Sequence, residues 1–137
     1  MRKLAVFFLA ASAIAQAPVP PQPVGTMSQL MLDVIYPTSN AIFYVRRNPP
    51  QHDVEWNTLR SAALTLAESG NLLMMSSRAR DRGDWMRDAQ LLVDTGADAW
   101  KAAQAKDLDA IAALNDRLYE ACVTCHEQYR PGYRKRR

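Results

Sequence analysis

"LDAIAALNDRLYEACVTCHEQY" occupies positions 108–129. Within it Leu108, Ile111, Leu114, Leu118, Cys122, Cys125 and Tyr129 recur at steps of three and four, so they share one side of an α-helix. Asp107 stands just ahead as an N-cap, and Pro131 and Gly132 stop the helix. A helix with one apolar stripe must bury it against something, and the rest of the chain supplies the partners.

Upstream, a segment from Asp84 to Ala105 carries Trp85, Ala89, Leu92, Gly96, Trp100 and Ala103 at helical spacing. The polar connection "SSRARDRG" (76–83) joins it to a helix over about Val54 to Met75, with Asp53 as N-cap. Its stripe is Trp56, Leu59, Ala63, Leu66, Gly70 and Leu73, where Gly70 allows close approach of a neighbour or a flat ligand. Before "NPPQ" (48–51) a first helix spans 26–47, capped by Thr26, with Met27, Met31, Val34, Thr38, Ile42 and Val45 inward. Pro37 removes one backbone bond and should kink this helix without ending it, because the pattern resumes beyond it. No stretch alternates with strand composition. The fold expected is all-α, an up-down-up-down four-helix bundle.

The N-terminus is of another kind. Arg2 and Lys3 precede an apolar run from Leu4 to about Ala15, and small residues follow. The run is too short for a membrane span and reads as a signal peptide over 1–17, cleaved near Ala15 or Ala17. A Pro-rich leader (18–25) then precedes the bundle domain (26–137). The formal charge of +3 includes Arg2 and Lys3, so the processed chain is nearly neutral. Nucleic acid is not an expected partner, and the mature chain has no expected membrane span.

Cys122 and Cys125 are the only cysteines, and His126 follows at once. On a helix the two thiols share a face, with the imidazole beside them. C-x-x-C-H is the attachment pattern of a covalently bound haem c, and an exported chain is where such attachment occurs. Two other readings stand: a Cys122–Cys125 disulfide, leaving a haem-free helical interaction domain, and a zinc site completed by His52. A thioredoxin-like use would need a preceding strand.

A four-helix chain with "CVTCH" near the end of its last helix resembles the cytochrome c′/cytochrome c-556 family over about residues 26–130. The resemblance implies one haem bound through Cys122 and Cys125, with His126 as proximal iron ligand. It takes the distal position from the first helix, at Met31, with Met27 one turn earlier as the alternative. An apolar residue there would leave the iron five-coordinate and open to gases such as nitric oxide. The bundle topology gathers Met27, Met31, Met74, Met75 and Met86 at the haem end and sends His52 to the other. Arg78 and Arg80 could pair with haem propionates, Trp85 falls beside the haem, and Tyr129 could cover its edge. Arg130 and the tail Arg134, Lys135, Arg136 and Arg137 are either a solvated end or a steering patch for an acidic partner.

The function expected is that of a periplasmic electron carrier serving redox partner proteins. No nucleophile or acid–base pair suggests an enzyme. The resemblance leaves a homodimer paired through the first two helices open beside a monomer.

Overall fold

The computed structural model describes residues 19–133. The expected signal peptide, Pro18 and the tail residues Arg134 to Arg137 lie outside the described residues.

Four helical arms make the molecule, and among the described residues there is no strand. The first arm comprises α1 (Met27–Gln29), a π-helix (Leu30–Ile35) and α2 (Tyr36–Phe43); α3 (Asp53–Leu73) and α4 (Asp84–Gln104) are uninterrupted; α5 (Leu108–Ala113) and α6 (Asn115–Tyr129) form the last arm. Side-chain ties show which ends meet. Lys106 reaches Asp53 at 2.7 Å and Arg46 reaches Asp109 at 2.9 Å at one end. At the other, Arg78 donates to the Gly25 carbonyl and Tyr129 to the Asp81 carboxylate. The arms therefore alternate in direction. None of the described helices is long and apolar enough to cross a membrane.

Caps explain most boundaries. Thr26 Oγ1 accepts from the Gln29 amide, and the Gln29 side chain accepts from the Thr26 amide. Asp107 accepts from the Ala110 amide. The connection between α4 and α5 closes on Lys106, whose φ of 54° lets the Asp107 amide reach the Ala102 carbonyl. Asp53 is not the cap of α3. His52 takes that place, because Glu55, three residues on, accepts from the His52 and Gln51 amides, which frees Asp53 to pair with Lys106.

The first arm departs from the expected kinked α-helix. Pro37 has no N–H to donate and its ring crowds the preceding turn. The chain widens there: the Tyr36 amide bonds back to the Met31 carbonyl, five residues earlier. Thr38 Oγ1 donates to the Val34 carbonyl at 2.6 Å, satisfying an acceptor on the disturbed turn. The inward residues shift accordingly. Leu30 and Ile35, a step of five apart, are buried with Ser39, whereas Met27, Met31, Val34 and Thr38 are only half-buried. Beyond the wide turn Ile42 and Val45 are buried as expected.

Ile42, Leu66, Ala99 and Leu118, one from each arm, are sealed from solvent and mark the core axis. α3 and α4 pack closest. A Cβ on Gly70 would lie 2.5 Å from Val93 Cγ2, and one on Gly96 would lie 2.6 Å from the Ala67 amide nitrogen. Gly70 thus admits the neighbouring helix rather than a flat ligand. The last arm is not one continuous helix: it jogs at Leu114, although the Leu118 amide still reaches the Leu114 carbonyl at 2.9 Å.

Candidate functional site

α6 presents Cys122, Cys125 and His126 on its inner side, each half-buried. They border a crevice of about 30 Å³. The first arm contributes Met31 and Ile35, α3 contributes Leu73, and α4 contributes Asp88, Ala89 and Leu92. Residues far apart in sequence thus converge, and apolar side chains dominate the lining. A larger open groove of about 460 Å³ lies at the other end, bordered by Tyr44, Pro49, Pro50 and Leu59, and none of the predicted site residues lines it.

Burial sets the protonation of the donors. It pushes the Cys122 thiol up to about 11. It does the same for Cys125, to about 11, with the negative charge of Asp88 adding to the effect. Both cysteines are free and carry S–H at neutral pH. Burial, helped by the Arg130 charge, pushes His126 below its ordinary value, so the imidazole is neutral with a lone pair to give. Its ring lies 5.3 Å from that of Tyr133.

This donor set fits a covalently held haem. It offers two protonated thiols, a neutral imidazole and, from a different arm, a thioether. Zinc does not fit as expected, because His52 caps α3 at the opposite end of the bundle and cannot join the other three. Met27 packs against the core beside Met31 without bordering the crevice, and Met74, Met75 and Met86 are half-buried at the same end.

Trp85 is buried, and its Nε1–H donates to the Leu73 carbonyl at 2.8 Å. Tyr129 meets it edge to face, with ring centroids 5.0 Å apart, and donates to Asp81. Burial first, and then this carboxylate, hold the Tyr129 phenol up at about 12. The pair stands next to the crevice, not on its lining. Arg78 is half-buried and holds the Gly25 carbonyl at 3.0 Å, which ties the leader to the connection between α3 and α4. Arg80 is exposed.

Asp88 is the site residue that the sequence reading passed over. It is only 5% exposed, its Oδ1 lies 3.6 Å from Arg87, and its Oδ2 is buried without a hydrogen-bond partner. Burial pushes its carboxyl up. The signal was its position: it immediately precedes Ala89 of the inner stripe and sits three residues after Trp85. The chain matches no protein-family model, no curated protein and no solved structure.

Proposed function

We propose that this chain is an exported c-type cytochrome that holds one haem covalently and carries single electrons. The observation that supports it most is that Cys122, Cys125 and His126 from α6 and Met31 from the first arm border one crevice. Cys122 and Cys125 would bind the haem through thioethers, and His126 would be the proximal ligand. Met31 would be the distal ligand through its soft sulfur, with Met27 the alternative. Methionine opposite histidine raises the reduction potential relative to histidine alone. The haem supplies the one-electron chemistry when bound; the chain binds it, orients it and keeps water away with Ile35, Leu73 and Leu92.

The crevice is about the size of a water molecule as it stands. Loading a haem therefore requires the first arm to stand off from α4 and α6. That arm is suited to it, being broken into three segments and packed through half-buried methionines. The exposed Arg80 is free to meet a propionate, whereas Arg78 would first have to release Gly25.

The test is expression in a bacterial periplasm with the c-type haem attachment machinery, followed by mass and optical spectra. The expected result is a mass increase of one haem and a low-spin reduced spectrum with sharp α and β bands, lost in Met31→Ala. A haem-free chain with a Cys122–Cys125 disulfide would overturn the reading. A broad high-spin spectrum that sharpens with carbon monoxide would keep the haem, make Met31 a packing residue and turn the function to gas binding.

A further inference from the structure

The orphaned oxygen of Asp88 carries an inference that rests on the haem reading and extends it. A carboxylate oxygen buried without a partner is rare, because leaving an acceptor dry forfeits its solvation. Asp88 has little else to satisfy it. Arg87 approaches only Oδ1, at 3.6 Å, and is itself held by Asp84 at 2.7 Å. Asp84, Arg87, Thr124 and Cys125 are the charged or polar groups that act on Asp88, and the Thr124 hydroxyl lies within hydrogen-bonding reach of its carboxyl. Thr124 spends its hydroxyl hydrogen on the Glu120 carbonyl at 2.8 Å.

The side chains bordering the crevice narrow the choice of donor. Met31, Ile35, Leu73, Ala89, Leu92 and Ala121 have no hydrogen to donate. Cys122 and Cys125 have one each, but thioether formation removes both S–H groups. His126 then remains the one bordering side chain able to donate. An imidazole that binds iron through one nitrogen keeps an N–H on the other, and metal-bound histidines donate that N–H to a carboxylate, a carbonyl or water.

We propose that Asp88 accepts a hydrogen bond from the His126 ring nitrogen that does not bind iron, which makes Asp88 the positioning residue for the axial imidazole. The bond links α4 to α6 across the site, fixes the ring's tautomer and rotation, and makes the imidazole a stronger donor to iron. Stronger donation favours the oxidised state, so the pair lowers the reduction potential.

The experiment compares haem-loaded wild type with Asp88→Asn, a near-isosteric change that keeps an oxygen but removes the charge. Two readouts are needed. The reduction potential of the variant is expected to rise by about a tenfold shift in the redox equilibrium, about 59 mV for one electron. Proton NMR of the wild type is expected to show a His126 ring N–H protected from solvent exchange, and Asp88→Ala, which has no side-chain acceptor, is expected to lose that protection. A remote charge effect would move the potential and leave the exchange unchanged, so an unprotected N–H in wild type overturns the pairing whatever the variant does. Mass scores haem attachment separately. A chain that takes no haem overturns both readings, and a loaded chain with a freely exchanging N–H overturns only this one.

Discussion

The α3–α4 pair and the first arm solve the same packing problem in opposite ways. α3 and α4 are unbroken, and at Gly70 and Gly96 they approach until a single methyl group would strike the other helix. The first arm passes from α to π to α around Pro37 and meets the core partly through half-buried methionine. One half is close-packed and has no slack. The other is assembled from flexible side chains and a widened turn. The candidate site lies where they meet, with Asp88 on the close-packed side and Met31 on the loose side. Under the proposed haem reading, the site would need one wall that stays and one that yields.

The largest effect that could break this contrast is on the tight side. Gly96→Ala places a Cβ 2.6 Å from the Ala67 amide nitrogen and 2.8 Å from its Cα, and backbone cannot swing aside. Overpacking of this kind should destabilise the fold by about 1–2 kcal/mol, net of alanine's better helix propensity. A urea midpoint equal to wild type would show that the helices can part freely, and the contrast would fall. On the loose side, Met31→Leu conserves volume and should change stability by less than about 1.5 kcal/mol. In haem-loaded protein the same substitution should abolish the low-spin spectrum. A large loss of stability instead would show that the first arm is packed as tightly as the others.

The smallest effect concerns how α6 is held to α4. Arg117 donates to Asp98 at 2.8 Å, and this hydrogen bond is the main reason that the Asp98 carboxyl lies below its ordinary 3.8. A carboxyl lowered by folding adds stability above its unfolded value, and that stability is lost as pH falls through the folded value. The side chains are 37% and 43% exposed, so solvent screening keeps the contribution to about 0.5 kcal/mol. Arg117→Gln should lower the urea midpoint slightly at neutral pH and leave it unchanged well below pH 3.8. A difference that persists in acid would assign the effect to packing instead of charge.

Much of this molecule was legible in its sequence. The stripes of α3 and α4 were sound because both helices keep one period throughout, and Leu59, Ala63, Leu66, Gly70 and Leu73 are all buried. The methionines gather at one end because short connections force the arms to alternate. The first arm was misread because a 3.6-residue period was carried across Pro37, whereas the chain takes a step of five there and buries Leu30 and Ile35. Asp53 was read as the cap of α3 because it is the better cap by type, and the reach of Glu55 to the His52 amide decided otherwise. Asp88 was missed for a simpler reason: an acidic residue on a helix is ordinarily solvated, and only neighbours from another arm reveal that this one is not.

The wide turn before Pro37 also bears on how such a chain can vary. A residue added to a regular helix rotates everything beyond it by about 100°. Here the turn at Leu30–Ile35 takes up such a step, and beyond it Ile42 and Val45 lie in the core. Deleting one residue within the turn would swing Met27 and Met31 around the axis without disturbing the far half of the arm. The segment works as an adjustable joint, through which the same bundle could turn a different side chain toward His126.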